Sequence, residues 1–305
     1  MGGGPLHLLP GPQAISLGLF IKSTLHDLQP YLFLQEDLHK FCRIRGPVFV
    51  CVPDAQIGVF RRHVSSGYEL VSDSAVARAS NIFWPMRDSW YTQQLLKLCA
   101  CDVLHSDAAL ILDSNTIINA DFDEAMFQIN GRWVYEICDA NESDLNWERQ
   151  TWRFMKLMPQ MQFGFRTVNQ IFVRGELIGL RRYLEDIYRT PWGDLLFASA
   201  ECDSRLRAVS WTEFQIYGAY VAMRSTSKTH RLGKKNRLAY FNPRLHINQL
   251  PDILSQWAEE RPFMIKAYRQ RPGIRLSESE YADVAAAIRN ACRPEGVSVG
   301  RTEGS

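Results

Sequence analysis

This sequence predicts an α/β domain whose central, mostly parallel sheet is covered by helices on both faces. Three observations predict it. Apolar runs of strand length recur at residues 14–22, 47–53 and 108–112. Segments with helical spacing of apolar residues alternate with them, which is how parallel strands are connected. No internal repeat or low-complexity linker divides the 305 residues, a length suited to one large α/β domain or two small ones.

The elements follow in order. AISLGLFIK (14–22) reads as a first buried strand. Asp27 is placed to cap a helix with Pro30 in its first turn and Leu34, Leu38 and Phe41 on its apolar face. Residues 47–53 give a second strand, 55–63 a short helix and 68–71 a third strand. Ser89 opens the helix SWYTQQLLKLC, with Leu95, Leu96 and Leu98 inward and Gln93, Gln94 and Lys97 around them. Ala108 to Leu112 is the next buried strand. Further strands are expected at 133–137 and 170–174, and helices at 145–157 and 176–187. Ser210 and Glu213 have the spacing of a capping box at the start of the helix WTEFQIYGAYVAM. A late strand at 263–268 precedes a last helix, capped by Ser277 and Glu280 and ending near Cys292.

Composition narrows the functional classes. Hydrophobic residues make up 46% and charged residues 22%, with a formal net charge of +2. So weak a global field is not that of a nucleic-acid or anionic-membrane binder. The basic stretch RSTSKTHRLGKKNR (224–237) lacks interleaved aromatics, which also argues against nucleic acid. The seven cysteines have no disulfide-like spacing and read as reduced thiols. Cys99 and Cys101 would point about 200° apart on a helix, so with His105 they make no metal set. No apolar run approaches the roughly 20 residues of a membrane span. Pro10 and Pro12 interrupt any signal-peptide core, and Leu6 stands where a myristoylation motif wants Ser or Thr. A cytoplasmic location is expected.

The stretch LILDSNTI (110–117) raises the functional question. Open α/β sheets bind ligands outside the carboxyl ends of their strands. A strand ending in Asp113 delivers a carboxylate there. If the chain stays extended, Asp113 and Asn115 point to one side and could both face a Mg²⁺ or Mn²⁺ ion shared with phosphate. The plainer reading is a turn, which Asp, Ser and Asn favour. Gln94 and Lys97 are placed to reach ribose or phosphate, or else form an exposed helix face. Trp211 and Tyr217 either stack on a sugar or pack in the core. His246 is a lone histidine, more often structural than a ligand.

Three pieces, WYTQQLLKL (90–98), LILDSNT (110–116) and WTEFQIYG (211–218), occur in the order of a known pattern. Together they resemble the nucleotide-sugar glycosyltransferases of the GT-A fold, and more narrowly a group of bacterial glycosyltransferase-like proteins. The resemblance spans residues 14 to about 270. It implies a single GT-A-like (Rossmann-like) domain over 14–270, with 14–140 as the nucleotide-binding half and 141–270 as the acceptor half. Residues 1–13 are then a flexible tail and 271–305 a C-terminal helix and tail.

It also implies transfer of a sugar from a nucleotide-sugar donor to a glycan or other hydroxyl acceptor, with Mn²⁺ or Mg²⁺ as cofactor. Asp113 matches the first acid of the family's Asp-x-Asp metal signature. Asn115 matches its last position, an amide where the family carries a carboxylate. Trp90, Gln94, Lys97, Asp113 and Lys234 are the expected donor-binding residues, Asp113 and Asn115 the metal ligands, and Glu213 the base for the acceptor hydroxyl. Asn115 leaves a non-catalytic nucleotide- or glycan-binding relative open, and a metal-dependent phosphoryl-transfer enzyme is a further alternative. The absence of G-x-G-x-x-G, G-x-x-x-x-G-K-[ST] and G-x-S-x-G excludes the functions those motifs carry.

Overall fold

Alternating short apolar strands and helices place the central sheet of this protein. The computed structural model describes residues 16–83, 90–139, 145–157, 163–165, 169–206, 210–224, 229–233, 238–241, 249–260, 262, 264–267, 270–271 and 274–292. The first strands and helices are β1 (Leu17–Lys22), α1 (Leu28–Phe41), β2 (Val48–Val52), α2 (Ile57–Phe60), β3 (Tyr68–Ser72) and α3 (Asp73–Ala79). Next come α4 (Trp90–Lys97), α5 (Ala100–Leu104), β4 (Ala108–Asp113), β5 (Thr116–Ile118), β6 (Gln128–Ile129) and β7 (Arg132–Asp139). They are followed by α6 (Leu145–Phe154), β8 (Phe163–Phe165), β9 (Ile171–Val173), α7 (Arg174–Tyr188), α8 (Trp192–Leu206) and α9 (Glu213–Met223). The last are β10 (His230–Gly233), β11 (Leu238–Phe241), α10 (Leu250–Glu260), β12 (Met264–Ala267) and α11 (Glu278–Cys292).

The central sheet has the order β3-β2-β1-β4-β9. Its first four strands are parallel, and only β9 runs antiparallel, against β4. Side chains alternate along each strand, so the sheet carries two apolar faces. Leu19, Ile21, Val50, Leu110 and Leu112 pack against α1, with Tyr31 and Leu34. Phe20, Phe49, Ala109, Ile111 and Phe172 pack on the other side against Leu95, Leu96, Leu180 and Phe214 of α4, α7 and α9. This is the predicted α/β architecture, with helices on both faces of a mostly parallel sheet.

Local chemistry explains several boundaries. The capping box before α11 forms as expected: Ser277 N donates to Glu280 Oε2 at 2.7 Å, and Glu280 N to Ser277 Oγ at 3.2 Å. The expected box at Ser210 does not form. Thr212 caps α9 instead, accepting from Gln215 N at 3.1 Å, which makes Glu213 the first helical residue. Ser210 is engaged by Asp203, which accepts from both its N and its Oγ. Asp27 stands at the N-cap of α1 but makes no side-chain capping bond. Ser89 lies outside the described residues. Helices α3, α5, α8 and α10 have no counterpart in the sequence reading. Strand β9 joins the central sheet and β12 pairs with β5, so both strands cross the expected boundary between the halves at residue 140.

Helix α9 is buried on every side from Glu213 to Ala222, the pattern of a helix inside the core rather than on its surface. Glycine makes that possible at one point. A Cβ at Gly218 would lie 2.6 Å from the Phe165 ring and 2.8 Å from Tyr135. At Gly175, in the first turn of α7, a Cβ would meet nothing within 4 Å. Gly218→Ala is therefore expected to lower unfolding stability by about 1–3 kcal/mol through overpacking. Gly175→Ala should leave it unchanged or raise it by up to about 1 kcal/mol. Urea denaturation of the two variants beside the parent chain measures both.

Candidate functional site

The strand order fixes where a ligand site belongs. From β1 the chain moves outward through β2 to β3, then returns to place β4 on the other side of β1. The connections on the two sides of β1 diverge, which opens a crevice at the carboxyl ends of β1 and β4. Lys22 is the last residue of β1 and pairs in register with Asp113, the last residue of β4. Both side chains lie on the sheet face covered by α4.

The three sequence pieces meet at one ammonium. Lys97, the last residue of α4, places Nζ 2.5 Å from Asp113 Oδ1 and 2.8 Å from Glu213 Oε1. The side chain of Lys97 is 3% exposed and that of Glu213 1%. Lys266, from β12, brings a second ammonium to Asp113 Oδ2. Gln94, one turn before Lys97, turns its amide nitrogen to Glu213, donating to Oε1 at 2.9 Å. Beside them, Lys22 Nζ lies 3.1 Å from Asp73 Oδ1, to which the Cys51 thiol also donates.

These contacts set the protonation states. Burial alone would raise the Asp113 carboxyl, but Lys266 and Lys97 outweigh it and hold the group well below the usual carboxylate range. Burial works against the Lys97 ammonium, yet Asp113 and Glu213 keep it charged to higher pH than an ordinary lysine. Burial pushes Glu213 up, and its ion pair with Lys97 does not fully offset that.

The supports are equally specific. Tyr91 of α4 donates to Asp203 Oδ2 at 2.6 Å, and its ring lies 5.2 Å from that of Trp211. Tyr135 of β7 donates to Phe214 O at 2.7 Å, and Tyr217 accepts from Val173 N at 2.8 Å. The first two turns of α9 are thereby tied to α4, β7 and β9, which holds Glu213 opposite Lys97.

Several expectations change on this geometry. Gln94 and Lys97 are buried, not an exposed helix face, at 5% and 3%. The segment after Asp113 is not extended: Ser114 and Asn115 make a turn, and β5 departs to pair with β12. The alternation that would aim Asp113 and Asn115 at one ion is therefore lost. Asn115 O accepts from Ala267 N at 2.8 Å, and its Oδ1 is buried without a partner.

Glu213 gives Oε1 to Lys97 and faces the Gln94 amide, whereas a base must present a free oxygen to its substrate. As placed, it holds Lys97. Trp211 and Tyr217 are core residues at 1% and 0% exposure, not stacking surfaces. Trp90 is 43% exposed at the start of α4, its ring 6.0 Å from that of Trp147. Within the basic stretch, His230–Gly233 forms β10 beside β7. Lys234 and His246 lie outside the described residues. Lys22, Asp73 and Lys266 were missed. For Lys22 and Lys266 the signal is a single charge inside or ending an apolar strand, as in AISLGLFIK and FMIKAY, whereas Asp73 opens α3 and carries no such signal.

The family model described as "Family of unknown function (DUF6492)" matches residues 14–269. No curated protein matches the chain. Among solved structures, the chain is similar to mouse xyloside xylosyltransferase 1 in its apo form, at 11% identity and TM-score 0.42, covering 82% of this chain and 97% of that one. It is also similar to the galactosyltransferase LgtC in complex with donor and acceptor sugar analogs, at 6% identity and TM-score 0.48, covering 88% of this chain and 95% of that one. Neither likeness bears on what this chain binds.

Asp113→Ala should destabilise the chain by about 3–5 kcal/mol, because it strands two ammonium groups that are nearly out of water. The pH dependence has a definite sign. A carboxyl depressed by folding contributes fully above its unfolded value and loses that contribution as pH falls towards the folded one. Stability should therefore decline as pH drops below about 4, and Asp113→Asn should flatten that acid limb. Urea titrations across the acid range test both.

Proposed function

We propose that this chain, which belongs to the family of unknown function DUF6492, is a transferase that binds a nucleoside-diphosphate sugar at the crevice between β1 and β4 and passes the sugar to a hydroxyl acceptor. The observation that carries this reading is the convergence of Lys97, Asp113, Glu213 and Lys266 at that crevice. A sheet rim with lysine ammonium groups fixed in place suits phosphate oxygens, and parallel α/β sheets bind nucleotides there. The sequence resemblance to GT-A glycosyltransferases names the same rim.

The chemistry asked of the site is modest. The bond between the anomeric carbon and the diphosphate oxygen breaks, its electron pair leaves with the diphosphate, and the acceptor oxygen bonds to the carbon. Negative charge grows on the departing diphosphate. Positive charge already oriented towards it lowers the barrier without reorganisation. Lys266 stands at the rim, its side chain 10% exposed, beside an Asp113 that is 16% exposed. Lys97 bonds Asp113 and fixes it. Glu213 fixes Lys97 in turn and Gln94 fixes Glu213, and Trp90, exposed at the start of α4, is the ring assigned to the donor.

A second reading is favoured by one observation. Glu213 is buried and bonded to Lys97, so no described carboxylate at the cluster is both charged and free to take the acceptor's proton. The same site would then bind a nucleotide sugar without turning it over.

Release of nucleoside diphosphate from a panel of UDP-, GDP-, ADP- and CDP-sugars tests the transferase. Turnover of one donor is expected, with Lys266→Met lowering its rate by about 10²–10³-fold, the loss seen when one oriented electrostatic group is removed. Nucleotide binding with no turnover would leave the second reading. Glu213→Gln separates a holder from a base. As a holder it should weaken donor binding and rate together, whereas loss confined to kcat would restore the base.

A further inference from the structure

A divalent cation is the cofactor that the Asp-x-Asp resemblance implies, and the residues present do not fit one. Mg²⁺ and Mn²⁺ need several oxygen ligands, usually including carboxylates with a free lone pair. Both oxygens of Asp113 are engaged, Oδ1 by Lys97 and Oδ2 by Lys266. The turn at Ser114 and Asn115 takes the second position of the signature out of line, and that position is an uncharged amide. Among the described residues, no group of three or more His, Cys, Asp and Glu is arranged to hold a metal. A cation arriving at Asp113 would have to displace two ammonium groups and leave both beside a doubly charged ion.

The same arrangement supplies what the cation would have supplied. Two ammonium groups carry the formal charge of one divalent ion, and they come from separate elements, α4 and β12. Lys266 is positioned by backbone pairing as well as by charge. It lies opposite Thr116 in the β12–β5 ladder, and Ala267 N bonds to Asn115 O at 2.8 Å. The ladder thus fixes the lysine relative to the turn that follows Asp113.

We infer that Lys266, seated on Asp113 and backed by Lys97, is the phosphate-binding residue of this protein and takes the place of a divalent metal, so that a nucleoside diphosphate binds without one. This rests on the nucleotide-sugar reading of the same crevice and adds to it the group that meets the diphosphate. Asp113 is then a positioning residue for two lysines and not a metal ligand. Lys97 stays behind it, where its own side chain is 3% exposed.

Calorimetric titration of the full chain with UDP, GDP, ADP, CDP, their nucleosides and inorganic pyrophosphate, each in EDTA and in Mn²⁺ or Mg²⁺, tests the inference. At least one diphosphate should bind in EDTA, with a Kd that either metal changes by less than about threefold. Lys266→Met should weaken that diphosphate at least tenfold and leave the matching nucleoside unchanged, a split that mere loss of structure does not produce. Lys266→Arg should retain binding. Should the diphosphates bind only when Mn²⁺ or Mg²⁺ is added, the inference is overturned and the nucleotide-sugar reading stands. If no nucleotide binds under either condition, that reading falls and the inference with it. The parent chain alone decides between metal-free and metal-requiring binding, so a variant that failed to fold would not protect the claim.

Discussion

The ammonium of Lys97 is almost out of reach of water, and much of the surrounding structure follows from keeping it charged. A buried lysine without counter-charges would lose its proton or expel the helix that carries it. Here two carboxylates arrive from opposite directions, one at the end of β4 and one at the start of α9. Removing either leaves an unbalanced charge in a region of low dielectric. The positions of α4, β4 and α9 are therefore coupled through one atom. That coupling also explains why three short sequence pieces, separated by long stretches of chain, form one recognisable pattern.

A charged group so deep in a core is a weak device for stability, since well-packed apolar residues usually serve as well or better. Its location suggests another reason for keeping it. The cluster stands at the one place where the sheet order diverges, at the carboxyl ends of β1 and β4. On the opposite face of the same strands, Leu19, Ile21, Leu110 and Leu112 pack as a plain apolar layer. The contrast between the two faces separates a wall from a site. Helix α9 belongs to the site side. It is buried all round, and hydroxyls of Tyr135 and Tyr217 tie it to strands β7 and β9. A helix fixed that firmly holds its first residue, Glu213, to a defined place.

Much of this architecture was legible in the sequence because strand-length apolar runs and helical spacing are local signals. Strands β1 to β4 and the capping box at Ser277 rest on such signals. The helices that escaped, α3, α5, α8 and α10, are short or carry mixed polarity, and tertiary contacts decide them. The cap at Thr212 is not legible from spacing, because Ser210 and Glu213 have the spacing of a box, while Asp203, in the preceding helix, takes Ser210 for itself. At the site, Asp113, Lys97 and Glu213 were named from order and residue type. Their mutual contact was not, because spacing along a chain says nothing of which helix end meets which strand end. Lys266 was invisible for the same reason. It comes from a strand 153 residues after Asp113, and only the β12–β5 pairing brings it there.

Asn115 and Lys266 explain one another. In a site built around a divalent ion, a second carboxylate supplies negative charge to hold the metal, and the metal then neutralises phosphate. Where the chain provides the positive charge itself, a further carboxylate beside Asp113 and Glu213 would compete with phosphate for the lysines and bind them more closely. An amide at position 115 avoids that competition. It also fits a tight turn, where Asn is favoured on conformational grounds. The amide at Asn115 and the second ammonium at Asp113 are then two sides of one electrostatic balance. A substitution that added a carboxylate at 115 would have to be met by loss of a lysine or gain of a cation. The neutral turn at Asn115 and the two lysines on Asp113 then make a consistent set.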